Sequence, residues 1–203
     1  MQSSGAWTPT RPDAAAQARP TRRWPASAVA AVTLWADDER EAERPAARGF
    51  IVRTDGAARG NPGHASLGAV LIDRTRSDAM DPRAEPDATI SEYLGPRITN
   101  NVAEWTGVVR ALVLAQELGA ERVDLFLDSN LIVEQLHGRW RVKDAKLQPL
   151  WSAAKSSLAG FRLWSATHVP RAQNSLADAL ANEAIDRVMA GGPMSVVVRP
   201  RSP

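Results

Sequence analysis

From Phe50 onward, short apolar runs alternate with polar or glycine-rich segments in a regular order. Three runs with strand-like composition come first, and two more follow segments with helical spacing. Strands joined without an intervening helix pair antiparallel, whereas strands that follow helices are typically added in parallel. We therefore predict three antiparallel strands and then two parallel ones, over residues 50–54, 65–74, 89–97, 123–128 and 161–169.

Helical periodicity predicts four helices around and after the last two strands. In the longest, apolar residues from Trp105 to Ala115 recur three and four positions apart, and Gly119 ends the pattern. The predicted helices cover residues 102–118, 131–136, 145–158 and 175–189. The pattern indicates an α/β fold, with a mixed five-stranded sheet and helices on both faces.

Both ends of the chain lack this periodic order. Residues 1–48 are rich in Ala, Pro and Arg, which is typical of a disordered extension. Within them, Val29–Trp35 could form a short strand or helix, and the arginine content loosely resembles an organelle transit peptide. We predict a folded domain over residues 49–190 and a C-terminal tail over 191–203 that carries one apolar patch, 196–198.

Composition limits the chemistry that is available. The 203 residues contain no cysteine and three histidines, which excludes disulfides and cysteine-based zinc sites. Metal ligands would then be carboxylates, the preferred ligands of Mg²⁺ and Mn²⁺. The net charge of +2 allows a nucleic-acid partner without requiring one. No apolar run approaches the roughly 18–20 residues of a membrane span, so we expect no membrane partner. We also expect a cytoplasmic location and a monomer.

Four carboxylates stand at the ends or starts of predicted elements: Asp55, Glu104, Asp128 and Asp178. Each has a plain structural alternative. Asp55 precedes Gly56 in a hairpin-like turn, Asp128 precedes a helix that it could cap, and the other two match capping boxes. However, the strands that end at Asp55 and Asp128 should be neighbours, and the helices start nearby. Four converging acids repel one another unless divalent cations lie among them.

Four segments carry a family resemblance: TDGAARGNPG, TNNVAE, DSNLIVEQL and HVPRAQNSLADALANEA. In order and content they resemble the signatures of type 1 ribonuclease H, over residues 49–190. The resemblance implies a ribonuclease H-like fold and hydrolysis of the RNA strand of an RNA/DNA hybrid, with 5′-phosphate and 3′-hydroxyl products. It also implies two Mg²⁺ or Mn²⁺ ions held by the four acids. His168 matches a mobile catalytic histidine of that family; the alternative is a plain strand-end residue.

The same resemblance implies contacts with the hybrid. Glycines let the backbone pass close to a groove, and Asn61 could bind a 2′-hydroxyl, which distinguishes RNA from DNA. The expected substrate contacts are Gly56, Asn61, Arg97, Thr99, Asn100, Asn101, Lys143, Arg171 and Asn174. Longer family members insert a basic helix where this chain has only HGRWRVKDAK, so it resembles the short form, and Trp140 there could stack on the substrate or belong to the core. Two alternatives stay open: a hybrid- or RNA-binding module without catalysis, and a same-fold nuclease acting on double-stranded RNA.

Overall fold

Six strands and four α-helices make up residues 47–200, the part of the chain that the computed structural model describes. The strands are β1 (Gly49–Gly60), β2 (Gly63–Asp73), β3 (Ala88–Ile98), β4 (Arg122–Leu127), β5 (Leu163–His168) and β6 (Ser195–Val198). The helices are α1 (Asn100–Glu117), α2 (Asn130–Leu136), α3 (Gln148–Ala159) and α4 (Ser175–Met189), and a short 3-10 turn, Arg171–Gln173, precedes α4. The predicted order of the first five strands and of the four helices is confirmed.

All six strands form one mixed sheet in the order β5-β4-β1-β2-β3-β6. Strands β1 to β3 are antiparallel, whereas β4 is parallel to β1 and β5 is parallel to β4. This confirms the predicted mixed sheet but adds one strand. Residues predicted as a tail form β6, which pairs antiparallel with β3 from Thr89↔Val198 to Glu92↔Ser195. Residues 1–46, including Val29–Trp35, lie outside the described part of the chain.

Strand β1 is longer than predicted, and this places Asp55 differently. The strand continues past Asp55 to Gly60, paired throughout with β2, and the chain turns at the cis peptide bond between Asn61 and Pro62. The prediction that Asp55 ends its strand is therefore wrong. Pairing between β1 and β4 stops at Arg53↔Phe126, so beyond that point β1 has β2 as its only paired neighbour. Asp55 thus lies where β1 and β4 separate.

Side chains alternate between two layers across the sheet. Phe50 and Val52 of β1 join the large core under α1 and α3, in which Trp105 is fully buried. Ile51 faces the opposite layer and packs with Ala177 of α4. Among the described residues, no helix is both long enough and apolar enough to span a membrane.

Two glycines allow helices to approach the sheet closely where acids are carried. A Cβ at Gly56 would lie 2.4 Å from the backbone nitrogen of Glu104, and one at Gly68 would lie 2.0 Å from the carbonyl oxygen of Ala177. Neither distance is compatible with a side chain. The absence of a Cβ therefore lets the start of α1 and the start of α4 lie directly on the sheet, next to Asp55.

Candidate active site

The four predicted carboxylates line one cleft of about 300 Å³. Asp55 comes from the middle of β1, Glu104 from the second turn of α1, Asp128 from the residue after β4, and Asp178 from the first turn of α4. Four separate elements therefore converge on one place, as the acid pattern predicted.

The structural alternatives for these acids are not realised. Thr99, Ser129 and Asn174 hold the N-cap positions of α1, α2 and α4, and none of the three makes a side-chain capping hydrogen bond. Instead, Glu104 accepts a hydrogen bond from Asn100 Nδ2 at 2.7 Å, and Asp128 accepts one from Asn174 Nδ2 at 2.8 Å. The carboxylates face the cleft region rather than the helix ends.

Asp55 lies at the electrostatic centre of the cleft. Its side chain is buried and accepts a hydrogen bond from the Gly56 N–H at 2.8 Å. Burial raises the pKa of Asp55 to about 8, with further contributions from the charges of Asp128, Asp178 and Glu104, against the Gly56 hydrogen bond. Burial also raises the pKa of Glu104, with a contribution from Asp128. The cleft therefore holds more negative charge than it can stabilise alone.

Arg171 brings a positive charge into the lining of the cleft. Its Nη2 donates to Asp178 Oδ1 at 2.6 Å, and this hydrogen bond raises the pKa of Arg171. The guanidinium is largely exposed, at 76% of its side-chain area, so it can leave the carboxylate without opening the core. It lines the cleft together with Gly56 and Asn100, two further residues predicted to contact substrate.

The donor set fits a hard divalent cation. Carboxylate oxygens without sulfur or imidazole suit Mg²⁺ or Mn²⁺, and a cation would relieve the mutual repulsion that adds to burial in raising the pKa of Asp55. In residues 47–200, no three acid or imidazole groups are arranged as a ready ligand set for one ion. Three of the carboxylates are engaged instead by Asn100, Asn174 and Arg171. A cation would therefore compete with these side chains for the carboxylate oxygens.

Asn174 is a correction to the sequence prediction. The residue is fully buried, and its Nδ2 donates to the Thr54 carbonyl oxygen at 2.9 Å and to Asp128 Oδ1 at 2.8 Å. A side chain without exposed surface cannot contact a substrate in this conformation. Asn174 instead holds the Asp128 carboxylate against β1.

The remaining predicted contacts lie outside the cleft lining. Asn61 is exposed, and its Oδ1 accepts a hydrogen bond from the Asn100 N–H at 3.2 Å, which ties the β1–β2 turn to the start of α1. Arg97, Asn101 and Lys143 are exposed, and Thr99 is partly buried. Their role in substrate binding stays a prediction.

His168 is the last residue of β5 and is exposed, rather than part of the following loop. Its Nε2 lies 3.2 Å from the backbone carbonyl oxygen of Asp128. Because a carbonyl oxygen only accepts, this contact needs a hydrogen on Nε2. The ring therefore lies beside the cleft without lining it, and its predicted catalytic role stays a prediction.

Asn182 lines the cleft but was not singled out from the sequence. Its Nδ2 donates to the Asp178 carbonyl oxygen at 2.9 Å. Residues four apart on a helix share one face, so the spacing from Asp178 was the signal that could have found it.

A second concavity of about 420 Å³ lies beside the segment between α2 and α3. Trp140, Arg141 and Trp151 line it, and Trp140 is 49% exposed. This exposure excludes the interpretation of Trp140 as a core residue and leaves its indole face accessible.

Sequence comparison identifies relatives over the same region. A family profile described as "Reverse transcriptase-like" matches residues 53–184. Ribonuclease HI of Halobacterium salinarum is 44% identical over 132 residues, which cover 65% of this chain and 62% of that protein. Bifunctional protein Rv2228c of Mycobacterium tuberculosis is 41% identical over 136 residues, 67% of this chain but 35% of the relative, so the chain spans about a third of its length.

Two further comparisons cover nearly the whole of the matched protein. Ribonuclease H of Verminephrobacter eiseniae is 34% identical over 161 residues, 71% of this chain and 95% of that protein. Among solved structures, LC11-RNase H1 in complex with RNA/DNA hybrid is 34% identical with a TM-score of 0.61, covering 69% of this chain and 99% of that one. The fold, the four-acid cleft and these matches together show that the chain belongs to the ribonuclease H family.

Proposed function

We propose that this protein is an endoribonuclease that hydrolyses the RNA strand of RNA/DNA hybrids and leaves 5′-phosphate and 3′-hydroxyl ends. The observation that carries the proposal is the convergence of Asp55, Glu104, Asp128 and Asp178 on one cleft. Relatives named ribonuclease H and a similar structure solved with an RNA/DNA hybrid support it.

The charge of the cleft supports a cation-dependent reaction. The four carboxylates would hold two Mg²⁺ or Mn²⁺ ions, which would supply charge neutralisation at the scissile phosphate and an activated water. Asp55, at the centre of the mutual repulsion, is the residue whose charge matters most. Asn174 and Asn100 hold the Asp128 and Glu104 carboxylates in place.

The backbone around Asp55 supports close approach by a nucleic acid. Gly56, Ala57 and Ala58 line the cleft next to Asp55, so the wall formed by β1 carries only small side chains there. Arg171 provides an exposed positive charge at the cleft, suited to a phosphate oxygen. Asn61 and Asn100 lie together at the hairpin end of the site, where amide groups could read a 2′-hydroxyl in a minor groove.

Exposed groups beyond the cleft could extend the contact to the DNA strand. Arg97 and Thr99 adjoin the start of α1, while Lys143 follows the exposed Trp140. Cationic side chains grip phosphates, and an exposed indole can stack on a sugar or base. Such contacts read backbone and shape, so little sequence preference is expected.

The test compares three duplexes of one sequence: RNA/DNA, RNA/RNA and DNA/DNA, each labelled on either strand, with Mg²⁺, with Mn²⁺ and with chelator. The proposal predicts internal cuts in the RNA of the hybrid alone, only with a divalent cation. End analysis with phosphatase and polynucleotide kinase should identify 5′-phosphates. Binding without cleavage would favour the non-catalytic module, and equal cleavage of RNA/RNA would favour the double-stranded RNA nuclease.

A further inference from the structure

Arg53 is a buried cation two residues before Asp55 in β1. Its exposed fraction is 3%. Within the described residues it forms no salt bridge with a carboxylate, and its Nη1 has no hydrogen-bond partner. A guanidinium buried without a paired carboxylate is costly, so packing alone does not account for arginine at this position.

The two hydrogen bonds that Arg53 does make connect separate parts of the chain. Its Nε donates to the Gln173 carbonyl oxygen at 3.1 Å, and its Nη2 donates to the Met80 carbonyl oxygen at 3.1 Å. Gln173 belongs to the site loop (residues 169–174), which leads into Asp178. Met80 belongs to the β2–β3 loop (residues 74–87), which is far from the acids in sequence.

The ring of Phe126 fixes the guanidinium between these two carbonyl groups. The Arg53 Cζ lies 5.1 Å from the ring centroid, a favourable cation–π distance. Methionine could occupy the same apolar space but has no donor, and lysine could not present two donors in a rigid fork. What arginine alone supplies here is a bridge between two loops.

Asn174 connects the bridge made by Arg53 to the acids of the cleft. Asn174 follows Gln173 directly and holds the Asp128 carboxylate and the Thr54 carbonyl group. Its carbonyl oxygen also accepts the hydrogen bond of the Asp178 N–H at 3.1 Å. A displaced Gln173 would therefore disturb the positions of two of the four acids at once.

We propose that Arg53 is a positioning residue that couples the β2–β3 loop to the site loop and thereby holds Asp128 and Asp178 in their working arrangement. The catalytic part of this statement rests on the proposed hydrolysis of hybrids, whereas the coupling of the two loops does not.

The test compares Arg53→Met with Arg187→Met. Arg187 is the control because it also donates to backbone carbonyl groups, those of Ser91 and Pro193. It differs in lying only partly buried, at the opposite end of α4, and in pairing with Glu183. Amide hydrogen exchange reports local opening. The informative amides are those of Gln173 and Asn174 in the site loop and of Ala79 and Asp81 in the β2–β3 loop, all hydrogen-bonded within their loops.

For Arg53→Met we expect exchange about tenfold faster or more at these four amides. Exchange should be unchanged at the Val169 N–H, which bonds to the Leu127 carbonyl oxygen of β4 rather than within the loop. We also expect kcat on the hybrid to be lower by about 10- to 100-fold with little change in KM. Arg187→Met should leave both loops and kcat as in the wild type. Arg53→Lys keeps the charge and should still lose the coupling; if Arg53→Met does not fold, Arg53→Lys carries the test.

Unchanged exchange in both loops, a response of the site loop alone, or the same response to Arg187→Met would each overturn the proposal. Full rescue by Arg53→Lys would overturn the bridging argument. If the wild type does not cleave hybrids at all, the proposed function fails, while the exchange measurement still decides whether Arg53 couples the loops.

Discussion

Arg171 Nη2 and Asp178 Oδ1 lie 2.6 Å apart, so one of the four cleft acids is paired with a cation from the loop just before its own helix. Three other carboxylates nearby lack such a partner among the described residues, and Asp55 among them shows the strongly raised pKa. An added cation would therefore compete with the Arg171 guanidinium for the Asp178 carboxylate.

Arg171→Ala should bind Mg²⁺ more tightly in the absence of substrate, because no guanidinium has to leave Asp178 first. The same variant should hydrolyse the hybrid more slowly, because a contact with a phosphate is lost. Calorimetric titration and steady-state kinetics measure the two effects. Arg59→Ala is the control, since Arg59 makes a similar exposed pair with Asp186 at 2.7 Å. Weaker Mg²⁺ binding by Arg171→Ala would contradict this competition.

The raised pKa of Asp55 predicts how stability depends on pH. Between about pH 4 and about pH 8 the folded chain keeps a proton on this carboxyl that the unfolded chain releases. Stability without metal should therefore fall as pH rises through that window. Asp55→Asn should remove this decrease in stability, and near pH 8 it should melt at a higher temperature than the wild type.

Thermal melts in chelator at several pH values across the window measure this difference. Asp186→Asn, which removes a carboxylate whose pKa is lowered by Arg59, should gain no stability. Added Mg²⁺ should narrow the gap between wild type and Asp55→Asn, because binding to the folded state stabilises it. Equal pH profiles for wild type and Asp55→Asn would contradict the electrostatic account.

Gly56→Ala should destabilise the fold, because its Cβ would lie 2.4 Å from the Glu104 nitrogen. Forced expansion of a packed site typically costs about 1–3 kcal/mol. Gly107→Ala is the matched control in α1: its Cβ would make ordinary contacts from 3.5 Å, and alanine favours a helix by about 0.5–1 kcal/mol. Urea denaturation measures the free energy of unfolding of both variants. An unchanged free energy of unfolding for Gly56→Ala would show that α1 can shift without an energetic cost.

His168→Ala should slow turnover while hybrid affinity stays close to normal. General acid–base help is worth about 10²–10⁴-fold, and Arg171 nearby shifts the expected loss to the low end. His137→Ala is the control, since the His137 Nε2 makes a similar contact with a backbone carbonyl oxygen, that of Ala166, at 2.8 Å. Steady-state kinetics decide it: unchanged turnover leaves His168 as a strand-end residue.

The order of strands and helices could be predicted because apolar periodicity is a local property. The continuation of β1 past Asp55 could not, because Gly56 and Gly60 indicate a turn, whereas pairing with β2 as far as Gly60↔Gly63 keeps the chain extended. Strand β6 was missed for a similar reason. Its apolar residues were visible, but their partner lies about a hundred residues earlier in β3.

The meeting of the four acids in one cleft could be predicted from the sequence because each acid stands close to the point where neighbouring elements come together. Asn174 and Arg53 could not be interpreted in the same way. A polar residue in a loop or strand suggests contact with solvent or substrate, and only the packed structure shows that both are buried and donate to backbone carbonyl groups. The contacts that hold the acids in place join residues that are distant in the sequence, so only the folded structure shows them.

The carboxylate cluster around Asp55 is proposed to perform the hydrolysis, and Asp55→Asn removes its central charge with little change in shape. The decisive measurement is single-turnover cleavage of a labelled RNA/DNA hybrid in Mg²⁺, with binding of the same hybrid measured in parallel. Asp55→Asn should bind the hybrid about as tightly as the wild type but leave its RNA strand intact. Substantial cleavage by Asp55→Asn would show that the cluster does not perform the reaction.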